Sequence, residues 1–106
     1  MQRGEVWWAD LHGASGRRPV VLVSRDAAYL RRTALTIVPI TRTIYGIDTE
    51  VRLGPSDGMP ADCVANADDI STIPKGWLLN RITALTREKM DAISAAIKFA
   101  LALDEA

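Results

Sequence analysis

The chain reads as a mainly β, α+β fold: a small, curled antiparallel β-barrel with a C-terminal amphipathic helix. Three observations predict it. Short runs of β-branched and aromatic residues alternate with Gly, Pro, Asp and Asn clusters as far as Leu85. Beyond Thr86 the apolar spacing changes, and Met90, Ile93, Ile97 and Leu101 recur three and four residues apart on one helical face. The 106 residues suit one domain spanning 1–106, with no internal repeat and no low-complexity stretch.

Val6-Trp7-Trp8-Ala9 follows a glycine and is rich in strand formers, so it is the first strand. Trp7 and Trp8 point to opposite faces of it; at least one packs in the core, and the other packs in the core or a dimer interface or stacks on a base. Leu11 to Arg17 has turn chemistry. Val20 to Val23 is a continuous apolar run, the mark of a central strand covered on both faces. Pro19 belongs at its beginning, because proline has no donor for the ladder. Asp26 to Arg32 forms a short helical turn, and Ala34 to Ile40 the third strand. Asp48 to Leu53 alternates polar and apolar residues, the period of a half-exposed strand. Gly54 to Pro60 is a turn. Two short strands come next, Cys63 to Asn66 and Ile70 to Ile73, with Asp68-Asp69 between them as turn carboxylates. After a turn at Pro74-Lys75-Gly76, Leu78 to Leu85 contains a strand at Arg81-Ile82-Thr83. Thr86 caps the closing helix, whose alanines raise helix propensity.

Nearly half the residues are hydrophobic and a quarter charged, the balance of a folded protein. The net charge of zero argues against a generic nucleic-acid coat. The charge is nonetheless segregated. Residues 1–56 carry more arginine than carboxylate, and residues 57–106 the reverse, so the field can steer an anion to one face. The one cysteine, Cys63, sits in an apolar run and fits a buried thiol in a reducing compartment. The N-terminus has no apolar signal core and no window is apolar enough to span a bilayer, so a cytoplasmic protein without membrane contact is expected.

The chemistry-bearing segments are Gly16-Arg17-Arg18-Pro19 at the mouth of the second strand and Thr41-Arg42-Thr43 at the end of the third. Arginine's planar fork donates parallel hydrogen bonds and keeps its charge, which suits phosphate. Two such loops on rigid strand ends can converge on one phosphodiester. The residues alone leave a second reading of Arg18 open, an ion pair with Glu5 or Asp10 across the rim. Thr41 reads equally as an ordinary strand-end residue. Other chemistries are missing. There is no Cys/His cluster with zinc spacing and no phosphate-cradling glycine motif, so neither a metal nor a cofactor is expected. His12 is the only imidazole, which excludes a two-histidine acid–base pair within one subunit.

Several segments together resemble the MazF/PemK toxins. Arg3-Gly4-Glu5-Val6-Trp7-Trp8-Ala9-Asp10-Leu11 is similar to that family's opening, and Gly16 to Ser24 to its glycine–arginine–proline strand. Val38-Pro39-Ile40-Thr41 is similar to its third strand; Met59 to Asn66 and Asp69 to Ile73 to its late strands; Asn80 to Leu85, with the closing helix, to its tail. The resemblance runs nearly end to end. It implies an SH3-like barrel, a homodimer, and metal-free, sequence-specific cleavage of single-stranded RNA, restrained by a cognate antitoxin. It carries the catalytic arginine onto Arg18 and the catalytic threonine onto Thr41. Arg17, Arg42, Thr43, Arg52, Ser15 and His12 are the expected RNA contacts. The first loop departs from the pattern: Leu11 to Gly16 is short and carries no acid, so a carboxylate there is missing or comes from elsewhere. Rival readings are a protein-binding toxin of the gyrase-poisoning kind, which shares the barrel without these loops, and an inactive RNA- or antitoxin-binding module.

Overall fold

The protein was analysed as a computed structural model, which describes residues 1–103. Seven strands form the molecule: β1 (Glu5–Asp10), β2 (Arg17–Leu22), β3 (Ala34–Thr41), β4 (Glu50–Leu53), β5 (Cys63–Asn66), β6 (Ser71–Pro74) and β7 (Leu78–Ala84). A short helix α1 (Ala28–Arg31) lies between β2 and β3, and α2 (Arg87–Ala100) closes the chain. All pairings are antiparallel, in the order β4-β5-β3-β2-β1-β7, with β6 also on β3.

β2 and β3 are covered on both faces, as their continuous apolar runs require. Val21, Val38 and Ile40 join a core under α2 with Val6, Leu53 and Ile93, while Val20, Leu22, Leu35 and Ile37 join a second core with Ala9 and Tyr29. Trp7 packs against that second core and donates its indole N–H to Glu5 Oε1 at 3.0 Å. Met90 and Ile93 are buried and Ile97 partly so; fully covering one such side chain is worth about 1.5–3 kcal/mol. The Thr86 side chain accepts from the Lys89 N–H, as a capping residue should. Leu101 falls beyond the end of α2 and is exposed, so the apolar stripe is one residue shorter than its spacing predicts.

Both prolines of the central strands lie where a neighbour is missing. Arg17 to Pro19 pair with β1 alone, so β2 starts two residues before Pro19 without losing a bond to β3. On the outer edge of β3, β6 pairs as far as Ile37 and β5 begins at Ile40, and Pro39 stands in the gap between them. β7 is longer than the three-residue strand predicted, because β1 supplies partners from Leu78 to Ala84.

The sheet is not closed into the expected barrel. Its end strands, β4 and β7, share no ladder. A turn at Pro55–Asp57 sits between them, where Thr83 Oγ1 donates to the Asp57 carbonyl at 3.3 Å and Lys89 Nζ donates to the Arg52 carbonyl at 2.7 Å. Gly58 permits this approach. Its φ is 90°, and a Cβ there would stand 2.4 Å from Thr83 Oγ1. Among the described residues no helix is long and apolar enough to cross a membrane.

A candidate nucleic-acid interface at the parted ends of β2 and β3

The β2–β3 ladder pairs Leu22 with Ile37, Val21 with Val38 and Val20 with Pro39, and then stops. Pro19 and Pro39 flank the stop, and neither has an N–H to give. Beyond it the strands part. Ser15, Arg18, Ile40, Thr41 and Thr43 line both of two adjoining cavities at this place, of about 500 and 400 Å³.

Arg18 is half-buried, and its Nε donates to the Ser15 carbonyl at 3.2 Å, which fixes the side chain while leaving the fork's remaining donors for a ligand. Among the described residues it has no carboxylate partner. The alternative ion pair is ruled out by geometry: Glu5 pairs with Arg81 at 3.3 Å, and Asp10 lies 3.6 Å from His12 Nδ1. Thr41 Oγ1 accepts the Thr43 N–H at 3.2 Å, which leaves its own hydroxyl proton to donate to a ligand.

The two cavities differ in chemistry. The smaller is lined by Trp8, Met59 and Pro60, and its charged residues are Arg17, Arg18 and Arg42, all cationic. Cys63 borders it with a buried thiol; burial pushes that thiol's pKa up, the Asp62 and Asp57 charges push it further, and Arg42 opposes them. Such a thiol is neutral and a poor nucleophile. The larger cavity adds Tyr45, Asn66, Asp69 and Ser71.

Six of the eight residues predicted as site residues therefore come together: Arg17, Arg18, Thr41, Arg42, Thr43 and Ser15. Two do not. Arg52 projects from β4 beside α2, in a depression lined by Ala92, Ala95 and Phe99. His12 turns away from the cleft, with its ring 4.4 Å from that of Trp77 and its Nδ1 2.9 Å from the Asp10 carbonyl oxygen. Asn66 and Asp69 were missed as cleft residues. Their signal lies in pairing: β5 meets the end of β3 at Ile40–Ala65 and Thr41–Val64, so Asn66, one residue on, falls opposite Pro39 at the wall of the larger cavity. Asp69 thus brings to the cleft a carboxylate that the short first loop lacks. Among the described residues no three His, Cys, Asp or Glu side chains gather in a metal-holding group.

Fold and site together define a small antiparallel β domain with an arginine-rich cleft at two strand ends. The chain belongs to the PemK-like, MazF-like toxin family of type II toxin–antitoxin systems, whose family model matches residues 2–101. It is 41% identical over 100 residues to the probable endoribonuclease MazF5 of Mycobacterium tuberculosis H37Rv, covering 93% of this chain and 91% of that protein. Endoribonuclease MazF9 of the same strain is 34% identical over 115 residues, covering 97% and 98%. Among solved structures, Mycobacterium tuberculosis toxin MazF-mt6 superposes with a TM-score of 0.85 at 30% identity, over 92% of this chain and 96% of that one. A mycobacterial endoribonuclease in complex with its cognate antitoxin gives a TM-score of 0.86 at 34% identity, covering 97% and 96%.

Proposed function

We propose that this chain is an endoribonuclease toxin that cleaves single-stranded RNA at specific sequences without a metal, and that a cognate antitoxin neutralises it. The observation that carries this reading is the pair Arg18 and Thr41, facing one cleft with the guanidinium free of any carboxylate among the described residues. The names of the relatives support the same activity.

In this mechanism the 2′-oxygen of the RNA attacks the adjacent phosphorus. The new O2′–P bond forms as the P–O5′ bond breaks, leaving a 2′,3′-cyclic phosphate and a 5′-hydroxyl. The 2′-hydroxyl proton leaves to water in the open cleft, and the departing 5′-oxygen takes one up. Negative charge builds on the non-bridging oxygens, and Arg18, already fixed by Ser15, stabilises it without reorganising. Thr41 holds a phosphate oxygen through its free hydroxyl proton. Arginine keeps its proton in proteins, so it is an electrostatic group here and not the proton acceptor. Arg17 and Arg42 hold flanking phosphates, and Trp8 offers a stacking face, worth about 1–3 kcal/mol per base.

The cationic, partly apolar smaller cavity also suits an acidic antitoxin segment with an apolar anchor, which would block RNA by occupying the same groove. A homodimer working in the cytoplasm would set two such clefts on one particle. The test is incubation of the purified protein with end-labelled RNA in EDTA. Fragments ending in cyclic phosphate from the wild type, formed about 100- to 1,000-fold more slowly with Arg18→Ala, support the reading. Intact RNA at high protein concentration overturns it and favours a protein-binding toxin.

A further inference from the structure

The larger cavity has charge of opposite sign on its walls. Arg18 and Asp69 both line it. The two do not approach within ion-pair distance of one another, and among the described residues neither has another ionic partner. About 500 Å³ lies in the cavity between and around them, within the size range of small-ligand sites. An occupant must bring an anion to Arg18 and N–H donors to Asp69. A nucleotide has that polarity, with phosphate at one end and a base edge at the other.

Asp69 is held for the task. It ends the turn Ala67–Asp69, which joins β5 to β6, and both of those strands pair with β3. Asn66 Oδ1 accepts the Asp68 N–H at 2.9 Å, and Thr49 Oγ1 donates to Asp68 Oδ2 at 2.7 Å, which pins the turn from both sides. Asn66 Nδ2 reaches Asp69 Oδ2 at 3.4 Å, which orients the carboxylate and leaves Oδ1 uncommitted.

We infer that Asp69, oriented by Asn66, reads the base of a nucleotide beside the phosphate held by Arg18, and that it selects guanine. A carboxylate only accepts hydrogen bonds. Guanine alone presents two adjacent donors, N1–H and N2–H, on its Watson–Crick edge, the edge that proteins read in single strands. Uracil presents one donor between two carbonyls that repel the carboxylate. Adenine and cytosine present one amino group beside an unprotonated ring nitrogen. This inference rests on the nuclease reading for the base's place beside a cut, but not for the binding preference itself.

The test has two arms. In the first, wild type, Asp69→Asn and Asp69→Ala each cleave a single-stranded RNA library with randomised positions, and the 5′-hydroxyl ends are sequenced. The wild type is expected to require guanine at one fixed position next to the cut, and Asp69→Asn to lower that preference at least about tenfold, in line with the loss of a bidentate base contact. Removing a negative charge strengthens RNA binding of every sequence alike, so the ratio between bases is the readout. An unchanged base preference in Asp69→Asn overturns the inference while leaving the nuclease intact. In the second arm, guanosine, adenosine, cytidine and uridine 3′-monophosphates are titrated into wild type and Asp69→Asn, followed by amide chemical shifts. Guanosine-selective binding that Asp69→Asn abolishes supports the inference even if no RNA is cut, in which case only the nuclease reading falls. Equal binding of the four nucleotides by the wild type overturns it.

Discussion

Arg18 and Thr41 stand opposite one another across the parted ends of β2 and β3: continuing the register that pairs Val20 with Pro39 by two residues brings them face to face. In a closed ladder such opposites hold their Cβ atoms about 4.5–5.5 Å apart and fill the space with each other. Here the ladder ends at Val20–Pro39, and the cleft lies beyond it. Pro19, the next residue of β2, has no N–H with which to extend the pairing.

Removing the Arg18 guanidinium should cost catalysis and little else. Arg18→Ala is expected to cleave RNA about 100- to 1,000-fold more slowly than wild type. Its thermal unfolding should shift by no more than about 0.5 kcal/mol, since the side chain makes no ion pair among the described residues. Arg18→Lys keeps the charge but loses the fork, so its rate should fall between the two. Single-turnover cleavage and melting curves on the three proteins check this.

Thr41 should act through its hydroxyl and not its shape. Thr41→Val removes both the proton offered to phosphate and the acceptor for the Thr43 N–H, and its rate should fall by at least about tenfold. Thr41→Ser keeps the hydroxyl and should recover most of the rate. A valine variant as active as wild type would remove Thr41 from the mechanism.

Gly58 should be intolerant of a side chain. Alanine there meets a φ of 90° and a Thr83 Oγ1 at 2.4 Å, with Thr83 Cβ at 2.8 Å. Gly58→Ala should cost at least about 2 kcal/mol, a fall of roughly 10 °C in melting temperature. Adding Thr83→Ala removes the Oγ1 contact but leaves the Cβ at 2.8 Å and the backbone strain, so the double variant should recover only part of the loss.

Tyr29 should make the fold sensitive to alkali. Burial pushes its phenol from 10.0 up to about 12, with the Asp26 and Glu5 charges adding and Arg3 opposing. The fold thus favours the protonated hydroxyl, which donates to the Ser24 carbonyl at 2.9 Å. Stability from this group is complete below pH 10 and is lost as pH rises toward about 12. Tyr29→Phe should be less stable by about 1 kcal/mol at pH 7 and should lose less across that alkaline range, as urea unfolding at several pH values would show.

Much of this was legible in the chain. The buried run Val20–Val23 and the spacing Met90–Ile93–Ile97 mark a strand covered on both faces and a helix with one apolar face, because local periodicity reflects which side is wet. The loops holding Arg18 and Thr41 were legible by residue chemistry and by family resemblance. What failed was what depends on distant pairing. The alternation along β4 exposes Arg52 correctly but does not say that α2 lies beside it and away from the cleft. His12 was expected among the RNA contacts, but its ring packs on Trp77, a contact between segments far apart in the chain. Asp69 looks like half of an ordinary turn doublet until β5 and β6 are both laid on β3. Closure of the barrel depended on a ladder between β4 and β7, and the turn at Pro55–Asp57 occupies that place instead.

The most direct test of the central claim is a crystal structure with a short RNA made resistant by a 2′-O-methyl group at the cleavage site. The account predicts the scissile phosphate between β2 and β3, with its oxygens at about 2.7–3.2 Å from both the Arg18 guanidinium and Thr41 Oγ1. A phosphate bound by only one of them, or RNA lying along another face of the sheet, would contradict it.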